Sequence, residues 1–163
     1  MKKIILPILL LANSSYAFAN WSSTVTINPL TDKKEGVASI RPTDTTKISV
    51  ICKEGETPGF AVTWKEPNSA KNITHYQYRV DKEEIIIITV NSVIGDRTTV
   101  SIGSIKSIFK DLFFKKRVIV KGIGPKYETS LIVINLDKSA IALKKACSWH
   151  PFYNDLFSSE EDS

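Results

Sequence analysis

The stretch Lys47-Ile48-Ser49-Val50-Ile51-Cys52-Lys53 decides how this chain folds. Side chains of an extended strand alternate between its two faces, so Ile48, Val50 and Cys52 share one face. The pattern predicts a strand whose apolar face, together with the first of the chain's two cysteines, points toward a core. The second cysteine, Cys147, ends a helical pattern near the other end of the chain. A bond between the two would therefore fix the last predicted helix to an early strand.

Residues 1–19 have the three parts of a secretory signal peptide. Lys2 and Lys3 form a positive start, an apolar run covers residues 4–12, and Ala17-Phe18-Ala19 is a small-x-small cleavage site. A helix that crosses a hydrocarbon core needs about 20 apolar residues, so this run is too short for an uncleaved anchor. We expect cleavage after Ala19, export of the chain and no stable membrane insertion.

Export determines how the cysteine pair is interpreted. An even number of cysteines in an oxidising compartment predicts a disulfide, here Cys52–Cys147. The alternative is a pair of buried, unbonded thiols. A redox-active pair is disfavoured because the two residues do not form a Cys-x-x-Cys motif. In the chain-entropy model, a bridge that closes so long a loop stabilises the fold by about 4–5 kcal/mol.

The mature chain carries eight or nine strand patterns separated by turn residues. Residues 85–90 form a continuous aliphatic run, which is typical of a central strand covered on both faces. The same run would favour aggregation if it were exposed. The other strand patterns cover residues 21–28, 37–41, 47–53, 60–64, 75–81, 98–102, 117–121 and 129–134.

Two segments have helical periodicity instead. In the first, Ser104 is available as a cap and the apolar stripe recurs every three or four residues. In the second, Asp137 can cap a helix that ends at Cys147. Their apolar residues are Ile105, Ile108, Phe109, Leu112 and Phe113, and Ile141, Leu143 and Ala146.

These elements predict a mostly β, α+β fold: β-sandwich-like antiparallel sheets with two short helices and one disulfide. The length of the mature chain is typical of one domain, which we place over residues 20–157. The acidic tail over residues 158–163 is expected to be disordered.

Composition and motifs offer little catalytic chemistry. The formal net charge is +5, but the basic residues are scattered, which argues against nucleic-acid binding. The two histidines, His75 and His150, do not form a metal-ligand pattern with the cysteines bridged. A Ser-His-Asp triad needs only to meet in space, yet no Gly-x-Ser-x-Gly motif is present to position its nucleophile. We therefore predict no catalytic residues, no metal site and no cofactor.

One candidate binding surface stands out by charge. Arg79 and Asp81 are two residues apart on a predicted strand and share a face, while Lys110, Lys115 and Lys116 surround the end of the first predicted helix. One interpretation is a binding site, in which the lysines bind an anionic ligand and Arg79 and Asp81 form an ion-pair cluster that holds it. Charges in this arrangement more often form a solvated surface with weak ion pairs, and that interpretation is the stronger of the two.

Several short motifs follow one another along the mature chain in a recognisable order. They are Trp21, Asn28-Pro29-Leu30-Thr31-Asp32, Cys52, Tyr78-Arg79-Val80-Asp81, Ile108-Phe109-Lys110-Asp111-Leu112, Asn135-Leu136-Asp137-Lys138-Ser139-Ala140 and Lys145-Ala146-Cys147-Ser148-Trp149. Together they resemble the type VI secretion-associated VasI/TagO family of periplasmic proteins. Members of that family have a tyrosine-arginine-isoleucine-aspartate strand, a helix of Phe-Ile-Lys-Lys-Leu type and an alanine-cysteine-x-tryptophan ending.

The resemblance implies a distant member, because residues 85–89 replace the family's tryptophan and serine-threonine pair. It implies a non-enzymatic accessory protein in the periplasm of a Gram-negative bacterium. The implied partner is an envelope protein, such as a secretion-system component or a cell-wall enzyme. The alternative function is a cell-wall-acting enzyme or an inhibitor of an envelope hydrolase.

Overall fold

Two antiparallel sheets form the framework of the chain in this computed structural model, which describes residues 20–158. The predicted signal peptide and the predicted tail beyond Ser158 lie outside the described residues. The strands are β1 (Ser22–Ile27), β2 (Lys34–Thr43), β3 (Thr46–Lys53), β4 (Gly59–Trp64), β5 (His75–Val80), β6 (Ile86–Thr89), β7 (Ser92–Ile94), β8 (Thr98–Ser101), β9 (Arg117–Gly124), β10 (Tyr127–Glu128) and β11 (Ile132–Asn135).

The strand order explains how the two sheets meet. The first sheet has the order β1-β2-β3-β4-β8-β7, and the second has the order β10-β9-β5-β6, with β11 also paired to β9. Strands β6 and β7 follow one another in the chain, yet each is the last strand of a different sheet. The chain therefore passes from one sheet edge to the other at residues 90–91.

The core lies between the sheets and is rich in aromatic rings. The Phe60 ring packs edge-on against Tyr78 at 6.4 Å, and the Trp64 ring stacks on Tyr76 at 6.2 Å. The Tyr76 hydroxyl also bonds to the hydroxyl of Thr99 in the opposite sheet. The predicted apolar faces of these strands are thus buried, and the predicted mostly β, sandwich-like fold is confirmed.

Three α-helices occur among the described residues, where the sequence patterns predict two. They are α1 (Ile105–Phe114), α2 (Ser139–Cys147) and α3 (Pro151–Phe157). Helix α3 was not predicted, and His150 is its N-terminal cap. The His150 Nδ1 atom accepts the Phe152 N–H at 3.2 Å, so the proton of the ring is on Nε2. The Nε2 atom lies 3.0 Å from the carbonyl oxygens of both Lys53 and Glu56, and these contacts connect α3 to the end of β3.

The predicted caps and one helix face were wrong. Ser104 occupies the cap position of α1 but its hydroxyl makes no capping bond, and the cap position of α2 is held by Lys138 instead of Asp137. Helix α2 begins at Ser139, whose hydroxyl donates to the carbonyl of Leu136 at 2.6 Å. Predicted as buried, Ile141 is 70% exposed; the buried residues of this helix are Ser139, Ala142, Leu143, Ala146 and Cys147.

The predicted disulfide is present and fixes α2 to the first sheet. Cys52 and Cys147 are both fully buried, with their Cα atoms 5.7 Å apart. Gly36 lies directly opposite Cys52 in the β2–β3 register. A Cβ atom at Gly36 would lie 1.8 Å from the carbonyl oxygen of Ala146. The helix end can approach Cys52 this closely because position 36 has no side chain.

The aliphatic run at residues 85–90 does not form the central strand that its composition predicts. Within it, β6 pairs with β5 on one side and is the edge strand of the second sheet. Only Ile88 is fully buried, whereas Ile85, Ile86 and Ile87 are 56%, 37% and 55% exposed. Continuous apolar composition predicted cover on both faces, and the strand order leaves this segment with one neighbour.

Candidate binding surface

Three of the five residues predicted as a binding surface, Arg79, Asp81 and Lys115, meet around the turn between β5 and β6. Strand β5 ends at Val80, and Asp81 follows it with a positive φ of 44°, so Asp81 no longer alternates with Arg79. The Arg79 Nε–H donates to the carbonyl of Glu83 at 3.0 Å. Arg79 therefore stabilises the turn that carries Asp81.

Lys115 is the predicted site residue with the best-defined partner. Its ammonium group donates to the Glu83 carboxylate at 2.5 Å. This bond raises the pKa of Lys115, and the charges of Asp111 and Asp81 act in the same direction. The two other predicted residues lie nearby in sequence, half-buried Lys110 on α1 and exposed Lys116 after it. The ion pair connects the β5–β6 turn to the end of α1.

Asp111 and Tyr78, which lie close to this ion pair, have raised pKa values. Burial raises the pKa of the half-exposed Asp111 carboxyl, and the Glu83 charge raises it further. Burial also raises the pKa of Tyr78 far above its ordinary value, with the Asp111 charge adding to the effect. The Tyr78 hydroxyl has no well-formed hydrogen bond among the described residues. Lys115 and Arg79 thus use their charge in contacts that hold the turn, as expected of a solvated structural surface.

The free edge of β6 offers a different kind of surface. In an antiparallel pair, alternate residues direct both backbone polar groups toward the partner strand. The Val90 N–H donates to the carbonyl of Thr74 at 3.0 Å, and Ile88 lies opposite Tyr76. Ile86 and Ile88 therefore face β5, and Ile87 and Thr89 direct their N–H and C=O groups outward.

An apolar groove continues from this edge across to the first sheet. One cavity of about 700 Å³ lies between the β6 isoleucines and the start of α1, and a second of about 410 Å³ lies beside β7. Ile102, which is 41% exposed, and Thr57 line both cavities. We call this surface the Ile102 groove; its apolar lining residues are Ile51, Ile86, Ile87, Ile94, Val100, Ile102, Ile105 and Phe152.

The rim of the Ile102 groove is polar and sparsely charged. Lys106, Lys53 and Glu56 are the charged residues that line the two cavities, and Ser104 and Ser107 add hydroxyl groups. Exposed apolar surface bordered by polar residues is characteristic of protein-binding sites. The chemistry suits an apolar segment of a protein better than a small anion.

The histidines do not contribute to this groove. His150 is buried under α3 with backbone partners, and the His75 Nδ1 lies 3.0 Å from the Thr74 hydroxyl. Over residues 20–158, no three histidine, cysteine, aspartate or glutamate residues are grouped so that they could hold a metal ion. Within the same range, no helix has both the length and the apolar character needed to cross a bilayer.

The groove could not be predicted from the sequence because its walls come from distant segments of the chain. Residues near 57, 86, 102 and 152 meet only after both sheets and α3 are in place. The available signal was the short β5–β6 connection. This short connection predicts that β6 pairs with β5, but it does not predict whether another strand pairs with the opposite edge of β6.

Comparison with known proteins does not assign this chain to a family. No family model matches it, and no curated protein or solved structure shows significant similarity to it. The resemblance to the VasI/TagO proteins stays a prediction.

Proposed function

We propose that this protein is a non-enzymatic accessory protein of the bacterial envelope that binds another envelope protein through the Ile102 groove. The observation that carries the proposal is the exposure of a continuous apolar surface in an otherwise well-packed, disulfide-bridged fold. Large apolar patches on a folded protein mark interaction sites. Export and the VasI/TagO resemblance support an envelope partner.

The rim of the groove indicates the chemistry of the bound segment. The 700 Å³ cavity has Lys106 as its one charged lining residue, so an apolar segment carrying a carboxylate would complement it. Apolar side chains would fill the space between the β6 isoleucines and Ile102. The partner is therefore expected to contribute an apolar segment with an acidic residue near it.

Site-specific photo-crosslinking in cells tests the proposed function. A photoreactive residue at Ile102 is expected to form a covalent product with one envelope protein, and the same residue at Ile141 on α2 is the matched control. The captured protein is then purified, and Ile102→Asp is expected to weaken its binding by about tenfold or more, because a carboxylate would be buried against apolar groups.

Two outcomes would contradict the proposal. One is an unchanged affinity of the purified partner for the Ile102→Asp variant. The other is catalysis: release of soluble fragments from peptidoglycan by the mature chain, abolished by replacing a single acid such as Asp81 or Asp111, would indicate the alternative cell-wall enzyme.

A further inference from the structure

We propose that β6 also pairs edge to edge with β6 of a second copy of this chain, giving a symmetric homodimer whose two-fold axis passes Ile87. The pairing joins the second sheets of two molecules into one continuous antiparallel sheet. It goes beyond the proposed function, because it uses the free backbone of β6 and not the Ile102 side of the groove.

The backbone of β6 is in the correct phase for this pairing. Two residues that lie opposite each other on a two-fold axis in antiparallel strands form a hydrogen-bonded pair only if both direct their polar groups toward the axis. Ile87 does so, since Ile86 and Ile88 face β5. A dyad at Ile87 therefore allows each copy to donate its Ile87 N–H to the Ile87 carbonyl of the other.

The charges along the strand favour the same register. With the dyad at Ile87, Ile86 lies opposite Ile88, and the acidic residues Glu83 and Glu84 lie opposite Asn91 and Val90. No like charges face each other. A parallel, in-register pairing would place Glu83 and Glu84 beside the same residues of the other copy, which is unfavourable.

The antiparallel register centred on Ile85 is less favourable. A dyad at Ile85 would place Glu83 opposite Ile87 and Glu84 opposite Ile86. A carboxylate would then lie against an isoleucine at four positions of the interface, at the cost of its hydration. The register centred on Ile87 is the one that keeps the isoleucines together.

Apart from its short length of four residues, β6 lacks the devices that usually prevent such pairing. Natural edge strands are protected by lysine, proline, bulges or short length. Residues 85–89 contain no lysine and no proline, and the register of β6 with β5 is regular. Because Ile85 and Ile87 are more than half exposed, a second copy would cover apolar surface on the outer face of the sheet.

Sedimentation equilibrium of the mature, disulfide-bridged chain tests the dimer. The wild-type chain is expected to dimerise reversibly with concentration. Ile87→Lys is expected to weaken dimerisation by about tenfold or more, because it brings two like charges together at the axis. Ile141→Lys, at an exposed isoleucine on α2, is the matched control and is expected to dimerise like the wild type. Circular dichroism melts verify that both variants are folded.

Thiol crosslinking tests the register. With a short bifunctional thiol reagent, Ile87→Cys is expected to give covalent dimers, since paired Cα atoms lie about 5.5 Å apart. Thr89→Cys is expected to give few, because the dyad separates the two copies of residue 89 by four residues along the strand, about 13 Å. Equal crosslinking at both positions would overturn the register.

The outcomes separate this inference from the proposed function. A wild-type chain that stays monomeric, or an Ile87→Lys variant that dimerises normally, overturns the homodimer and leaves partner binding by Ile102 intact. Crosslinking of Ile87→Cys in cells to another protein and never to itself also overturns it. If no envelope protein is captured through Ile102 but the chain still dimerises, only the proposed function is contradicted.

Discussion

At the scale of single residues, two adjacent core positions of β5 differ in one hydrogen bond. Tyr76 and Tyr78 are both fully buried, but their hydroxyls differ in how well they are hydrogen-bonded. The Tyr76 hydroxyl bonds to the hydroxyl of Thr99, whereas the Tyr78 hydroxyl makes no well-formed hydrogen bond and has the Asp111 carboxyl as its polar neighbour. A buried hydroxyl without a partner keeps the cost of losing its hydration. The Tyr78 side chain is therefore stabilised mainly by the burial of its ring.

Tyr78→Phe is expected to leave the free energy of unfolding unchanged or raise it by up to about 1 kcal/mol. Tyr76→Phe is the matched variant and is expected to lower it by about 1 kcal/mol, because it leaves the Thr99 hydroxyl unpaired. Urea unfolding of the two variants and the wild type measures the difference. Equal losses in both variants would show that the Tyr78 hydroxyl is hydrogen-bonded in solution.

A second prediction at this scale concerns Asp111 and pH. Its pKa in the fold is raised above the ordinary value of 3.8, so the folded state favours the protonated form. The stability that Asp111 contributes is therefore present below pH 3.8 and is lost as the pH rises through the raised pKa.

Asp111→Asn is expected to unfold at a higher urea concentration than the wild type at neutral pH. The gain should be below about 1 kcal/mol, because water screens a half-exposed carboxyl. It should shrink as the pH falls toward 3.8. A loss of stability at neutral pH would indicate that the ionised carboxylate is favourable in this position, contrary to its surroundings.

At the scale of elements, the contact between α2 and β2 depends on one glycine. The Ala146 backbone occupies the space that a side chain at position 36 would need, and neither backbone can move independently of the disulfide at Cys147. Gly36→Ala is expected to lower the free energy of unfolding by about 3 kcal/mol, measured by urea or thermal unfolding.

Gly103→Ala is the control for this prediction. A Cβ atom there has no heavy atom within 4 Å, so the variant should change stability by no more than about 0.5 kcal/mol. A tolerated Gly36→Ala would mean that α2 is packed less closely on β2 than described.

The elements also show what local patterns can and cannot predict. The α1 stripe was predicted correctly at four positions, since Ile105, Ile108, Phe109 and Leu112 are buried, while the fifth, Phe113, is half-buried. The face of α2 was misassigned at Ile141, because a nine-residue helix with several alanines has a weak amphipathic pattern. Helix α3 was missed because its starting signal is the buried His150, whose partners Lys53 and Glu56 are far away in sequence.

At the scale of the whole molecule, the disulfide connects two distant parts of the fold. It joins β3 of the first sheet to the end of α2, across a sequence separation of 95 residues. Replacing both cysteines with alanine is expected to lower the free energy of unfolding by about 2–4 kcal/mol, because the unfolded chain gains freedom. Thermal unfolding with and without reductant gives the same comparison for the native sequence, and an unchanged melting curve in reductant would contradict it.

The sequence by itself determined the location of nine of the eleven strands among the described residues, and the short β7 and β10 were missed. It also determined the α1 stripe, the inward position of Cys52 and its bond to Cys147. These follow from alternation, helical period and the even number of cysteines, which are properties of neighbouring residues or of the whole composition. The partners of the charged residues predicted as a site could not be predicted from the sequence. Lys115 bonds to Glu83, and Arg79 bonds to the turn.

Only the tertiary structure decided which strands are edges. The run at residues 85–90 has the composition of a central strand. Its exposure arises because β5 has β9 on its other side and, within residues 20–158, no strand pairs with the outer edge of β6. Strand order is set by pairing energies and connections summed over the entire sheet, and these do not appear in any local pattern. The Ile102 groove and the free β6 edge, on which the proposed binding depends, are consequences of that order.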